Sequence, residues 1–101
     1  MAILPKDTGL VEATALGDGQ FTDWIYSTKD FNFSISGTFV GTVTVQRSFD
    51  PSDPDNNARD VDTFTDPIET YGFDPSGVVL YRAGFKSGEH TSGTADIRIS
   101  R

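Results

Sequence analysis

Cysteine is absent from all 101 residues, which excludes a disulfide framework and a thiolate metal centre. A domain of about 100 residues without such staples depends on its core or on neighbouring subunits for stability. Positive charge is scarce. Eight Lys and Arg stand against fifteen Asp and Glu, a formal net charge of -7, and general nucleic-acid binding needs clustered bases that this chain lacks. Long apolar runs are missing too. Met1 to Leu10 holds none of the length that a secretory leader needs, and no later stretch approaches a membrane span, so synthesis and residence in a cytoplasm are the expectation. Helical periodicity is also wanting, and what replaces it is a period of two.

Phe31, Phe33 and Ile35 alternate with Asn32, Ser34 and Ser36, one apolar and one polar face of a strand. After the Gly37-Thr38 turn signal, Val43 and Val45 alternate with Thr42, Thr44 and Gln46, and the short spacing predicts a hairpin. Val79, Tyr81, Ala83 and Phe85 oppose Val78, Leu80 and Arg82, so both faces are apolar, as a central strand requires. Ala95, Ile97 and Ile99 alternate with Asp96, Arg98 and Ser100. That run is expected to pair with its predecessor across a turn at Ser87 to His90. Weaker strand patterns lie at Leu10 to Leu16, where a helical turn competes, and at Phe21 to Tyr26, Asp60 to Thr65 and Ile68 to Tyr71. Four of the five prolines follow aspartate, and Asp-Pro favours a turn, so these pairs mark strand boundaries. The expected fold is an all-β, single-domain antiparallel sandwich or barrel of about seven or eight short strands. Residues 1–19 form an arm or first strand and residues 20–101 the β-domain.

The segment from Asp50 to Asp60 carries four carboxylates and two Asn amides, an oxygen density that calcium could use. Ala58 and Phe64 occupy the places where an EF-hand has its glycine and its glutamate, and two prolines stiffen the segment, so a solvated, charge-repelled hairpin loop is the plainer expectation. Six of the twelve aspartates fall between Asp50 and Asp66, which concentrates the excess charge in that one region. His90 is the only histidine and reads as a surface residue, having neither a thiolate nor a second imidazole to join it. No serine lies in a Gly-x-Ser-x-Gly setting, no Gly-rich loop opens a helix, and no acid sits in an apolar stretch. Neither an enzyme nor a cofactor is expected. Trp24, Tyr26, Tyr71 and Tyr81 could stack on a sugar face, but Trp24 and Tyr26, two residues apart, are better read as packing on the core or on another subunit. Arg47 and Arg82 lie inside patterned strands, where a buried guanidinium is costly unless paired. Each is expected to meet a carboxylate or a subunit interface. Arg47, Arg82, Trp24 and Tyr26 are thus the candidate partner contacts.

Three blocks carry a family resemblance: Ser36-Gly37-Thr38-Phe39-Val40-Gly41-Thr42-Val43-Thr44-Val45-Gln46-Arg47-Ser48-Phe49-Asp50, then Gly77 to Gly84, then Thr91 to Ala95 with Ile97-Arg98-Ile99-Ser100. Over Ser36 to Arg101 the chain resembles small structural proteins of tailed bacteriophages and prophages. The residues Gly19 to Trp24 match more loosely. Members often follow Ser-Phe-Asp with two glycines and an aromatic, whereas here Pro51 to Asn57 form a longer, acidic loop. The resemblance implies a virion component without enzymatic activity and does not say which part of the virion; the expected role is a capsid decoration (cement) or head-fibre type protein, oligomeric and bound to the major capsid protein or other virion proteins. A neck or tail accessory protein and a carbohydrate-binding adhesion module remain as alternatives.

Overall fold

A computed structural model describes residues 9–27, 30–74 and 79–101. The expectations placed on Met1 to Thr8, on Pro75 and on Val78 lie outside these residues. Eight strands occupy the described chain: β1 (Leu10–Leu16), β2 (Ile25–Ser27), β3 (Asp30–Ser36), β4 (Phe39–Ser48), β5 (Arg59–Phe64), β6 (Ile68–Phe73), β7 (Val79–Gly93) and β8 (Ala95–Ser100). They form two open four-stranded antiparallel sheets, ordered β1-β8-β3-β6 and β2-β7-β4-β5. The chain is therefore a β-sandwich, and the sheets do not close into a barrel. The helical alternative at Leu10–Leu16 gives way to a strand paired with β8.

The alternation read from the sequence becomes the core. Phe33 and Ile35 of β3 and Ala95, Ile97 and Ile99 of β8 face Val43 and Val45 of β4 and Val79, Tyr81, Ala83 and Phe85 of β7. Each large aliphatic side chain buried this way contributes about 1.5–3 kcal/mol by leaving water. β7, the strand with two apolar faces, lies in the interior of its sheet, between β2 and β4. Its outward Leu80 is only 1% exposed, because the second face of that sheet is covered as well.

Two pairings differ from the sequence reading. β3 and β4 do not form a hairpin: Ser36 pairs with Asp96, Phe39 pairs with Gly93, and the chain crosses between sheets at Gly37-Thr38. β7 and β8 do not pair either, since the chain crosses back at Gly93-Thr94 and β8 joins β1 and β3. The two crossings lie back to back, with Thr94 N–H donating to the Thr38 carbonyl at 3.0 Å. A Cβ on Gly93 would sit 2.1 Å from the Thr38 oxygen, and one on Gly37 would sit 2.6 Å from the Thr94 oxygen. Turning at these glycines lets each apolar face meet the opposite sheet, which a flat hairpin would not achieve. The expected turn at Ser87 to His90 is instead a bulge within β7. Gly41 pairs with His90 and Val43 with Phe85, so the residues between them loop out of the ladder. Gly88, at φ 87°, supplies the left-handed residue that a reversal would also have used. Of the strands that follow one another in sequence, β4 and β5 are paired in one sheet, through the 50–58 loop.

Candidate functional site

Three groups of side chains stand out. The first is buried between the strand ends. Asp74, just after β6, is 3% exposed and accepts Arg47 Nε at 3.0 Å, Arg47 Nη2 at 2.8 Å and the Tyr81 hydroxyl at 2.7 Å, all on Oδ2. Burial opposes the Arg47 charge, but its bonds to Asp74 and Tyr81 outweigh that and hold its pKa above the ordinary value. The outer side of the same guanidinium covers the Phe49 ring at 4.2 Å.

Burial, followed by the bond to Asp74, pushes the Tyr81 phenol up to about 12, against about 10 in an unfolded chain. The folded state therefore keeps this proton over a range in which the unfolded state releases it. Stability from this group is fully present below about pH 10, declines between about pH 10 and 12, and is lost above that. Lys86, raised by its bond to Asp60, declines in the same direction. Urea midpoints measured across this range should fall less steeply for Tyr81→Phe than for the wild type. Equal slopes would show that the phenol does not couple to folding.

The second group lies on the outer face of the β2-β7-β4-β5 sheet. Arg82 donates from Nε to Gln46 Oε1 at 2.9 Å and from Nη1 to Asp55 Oδ1 at 3.0 Å. Its guanidinium lies over the Phe21 ring at 4.2 Å and the Trp24 ring at 4.6 Å. Trp24 Nε1 donates to the same Asp55 oxygen at 2.8 Å. Gln46 continues the chain by donating to Asp60 Oδ1 at 2.9 Å, and Lys86 Nζ closes it on Asp60 Oδ2 at 2.6 Å. Burial lowers the Arg82 pKa while Asp55 works against that shift. The Asp60 carboxyl is lowered by its bonds from Lys86 and Gln46. This network fastens two covering segments, the Phe21 to Trp24 strap and the acidic loop, onto the strands beneath.

The acidic loop is consequently not held apart by its charges. Asp50 Oδ1 accepts the Ser52 amide and hydroxyl, and Asp50 Oδ2 accepts Asn57 Nδ2. Asn56 Nδ2 donates to Asp53 at 3.0 Å, and Pro54 is buried. These short side-chain bonds to nearby backbone and amide groups are what Asp and Asn favour in turns. Among the described residues no three His, Cys, Asp or Glu side chains converge as metal ligands.

Arg47 and Arg82 thus each meet a carboxylate of their own chain, Asp74 and Asp55. Trp24 precedes β2 and has one ring face under Arg82. Tyr26 pairs with Leu80 from β2 and is half-buried. His90 is half-buried, edge-on to Phe85 with ring centroids 4.8 Å apart, and its Nε2 lies 2.6 Å from the Gly93 carbonyl.

The third group was not legible in advance. β5 and β6 are the outer strands of their sheets on the same side of the sandwich, and the gap between them is a groove of mixed character, lined by aromatic and aliphatic side chains together with Asp62 and Thr70. Phe31, Phe33 and Tyr81 line it from the core, with Val61 and Phe64 of β5 and Phe73 of β6 at its sides. Its volume of about 170 Å³ is below the ~300 Å³ at which small-molecule pockets begin. Around it the surface is unusually greasy: Tyr71 is 79% exposed, Phe73 61% and Val61 47%. The single charge of β6 and its aromatic pair at alternate positions were the available signal. Comparison with protein-family models, with curated proteins and with solved structures finds no match to this chain.

Proposed function

We propose that this chain is a non-enzymatic structural protein of a tailed-bacteriophage or prophage virion, a capsid decoration protein that binds the major capsid protein and stabilises the shell. The resemblance over Ser36 to Arg101 supplies the family. The observation that carries the reading is the distribution of exposed large apolar side chains. Val40 and Phe49 lie at the two ends of β4, Val61, Tyr71 and Phe73 lie around the β5-β6 groove, and Ile68 opens β6. Apolar contacts at separate places suit a small domain held between several protein neighbours, as in a shell lattice. The net charge of -7 keeps such a surface soluble and is repelled by packaged DNA.

Quantifying the protein in purified particles tests the proposal. A copy number comparable to that of the coat subunits or capsomers is expected. Particles lacking it should assemble normally and then lose DNA at lower temperature or in chelator. A few copies per particle, as a neck, tail or fibre base would hold, overturns the decoration role.

A further inference from the structure

The two sheets of this sandwich present different outer faces. On the β2-β7-β4-β5 sheet, Arg82, Gln46, Asp60 and Lys86 are bonded in a chain, and the Phe21 and Trp24 rings lie against Arg82. On the β1-β8-β3-β6 sheet, the ladders set two rows across all four strands: Glu12, Arg98, Ser34 and Glu69, then Leu10, Ser100, Asn32 and Tyr71. Their chain neighbours Ile97, Ile99, Phe33 and Ile35 lie in the core, so both rows point outward. Arg98 stands opposite Glu12, yet among the described residues the two form no ion pair, and the side chains of Asn32 and Glu69 make no hydrogen bond there either. Tyr71 and Phe73, 79% and 61% exposed, share this face and stand about 7 Å apart along β6. Two shallow depressions flank Arg98. One of about 160 Å³ is lined by Asn32, Ser34, Glu69 and Ser100, and one of about 230 Å³ by Glu12, Thr14, Ser36 and Asp96.

We propose that this face binds a neutral oligosaccharide, lying across the strands from Tyr71 on β6 to Glu12 and Thr14 on β1, a track of about 14 Å at three strand spacings. The inference stands apart from the virion reading, because Val40, Phe49 and Val61 lie on or beside strands of the other sheet.

The side-chain chemistry selects that class of ligand. An ionised glutamate only accepts hydrogen bonds and a guanidinium only donates them, whereas a sugar hydroxyl does both. One run of hydroxyls therefore satisfies Glu12, Glu69, Arg98 and Asn32 together and brings no charge of its own. The C–H face of a pyranose packs on the open ring of Tyr71, and Phe73 extends that apolar rim. The Trp24 ring, by contrast, already has Arg82 on one face and its Nε1 on Asp55. Asp30, Asp96, Glu12 and Glu69 outnumber Arg98 on this face, which repels an anionic polymer and equally a second copy of the same face. A protein partner would bury those acids against a face whose large apolar groups stand only at its β6 rim, and interface centres are poor in charge. The depressions are open and too small to enclose a compact ligand, which suits an extended chain.

Amide NMR of the isotope-labelled full chain tests this, with maltohexaose, cellohexaose, laminarihexaose and N-acetylchitohexaose as neutral probes and heparin as the acidic one. At least one neutral hexamer at millimolar concentration should shift the amides of Asn32, Ser34, Arg98 and Tyr71. No shift with any of the four overturns the proposal, as do shifts confined to Trp24 and Arg82 or produced by heparin alone. Tyr71→Ala and Arg98→Ala, both at exposed positions, should keep the far-UV spectrum and each weaken binding on the order of tenfold. Tyr71→Phe keeps the ring and should bind within about threefold of the wild type. Wild-type affinity in both alanine variants puts the sugar elsewhere and refutes this face, and a Tyr71→Phe as weak as Tyr71→Ala refutes the stacking role.

Discussion

Asp74→Ala should lower the unfolding free energy by about 2–4 kcal/mol, visible as a shift of the urea midpoint without loss of the β-sheet spectrum. The carboxylate is buried, and its Oδ2 receives both a guanidinium edge and a phenol. Its removal leaves the Tyr81 hydroxyl, in a residue 8% exposed, without this acceptor and leaves Arg47 without its counter-charge. Breaking a fully buried ion pair costs about 3–5 kcal/mol. The range here is lower because the Arg47 side chain is 25% exposed and water can reach it. Asp74→Asn keeps an acceptor of similar shape and should cost less, about 1–3 kcal/mol, through loss of the charge-assisted bonds. The double variant Arg47→Met with Asp74→Leu should be less destabilised than the sum of its singles, because neither leaves a stranded charge. A change below about 1 kcal/mol for Asp74→Ala would mean that solvent already satisfies this cluster.

Gly93→Ala should cost on the order of 3 kcal/mol or more, and Gly93→Val should prevent folding at moderate temperature. Two effects combine. A side chain at φ 74° carries about 1–2 kcal/mol of backbone strain. The added Cβ also meets the Thr38 oxygen at 2.1 Å and the Phe39 Cα at 2.9 Å, both backbone atoms of the opposite crossing, and relieving such overlap costs about 1–3 kcal/mol. Gly88→Ala separates them. Gly88 has a similar φ of 87° with nothing within 4 Å of a Cβ, so it reports strain alone. Thermal or urea denaturation should show Gly93→Ala clearly less stable than Gly88→Ala. Equal effects would mean that the two crossings can separate freely.

The same corner shows where sequence reasoning stops. Each of β3, β4, β7 and β8 was readable because alternation is a local property, set by which side chains need a dry face. Whether two such strands lie side by side or face to face leaves the alternation unchanged. Gly37-Thr38 serves a hairpin turn and a sandwich corner equally well, and the choice falls to a contact between segments more than fifty residues apart, Thr94 N–H on the Thr38 carbonyl. Gly88 is similarly ambiguous between reversal and bulge.

The candidate site was legible to the same depth. That Arg47 and Arg82 would need a carboxylate or a subunit interface followed from their place inside strands. Which carboxylates they found did not, since Asp74 and Asp55 each lie 27 residues away in a chain of fifteen acids. The acidic loop was rightly placed between two paired strands, but Asp55 is drawn onto Arg82 and Trp24 by a face that exists only once β7 and β4 are paired. The exposure of Tyr71 and Phe73 is wholly a matter of topology. The same hexapeptide in the middle of a sheet would have both edges satisfied.

The missing cysteines, the scarce bases and the period-two pattern were enough to determine an all-β chain, which faces of its strands are dry, and that Arg47 and Arg82, inside strands, must meet a carboxylate or an interface. Tertiary structure alone decided the rest: which strands became edges and which acids met which bases. The physical reason is range. Burial preference is encoded residue by residue, whereas backbone pairing and ion pairing depend on distances that only the assembled sandwich fixes.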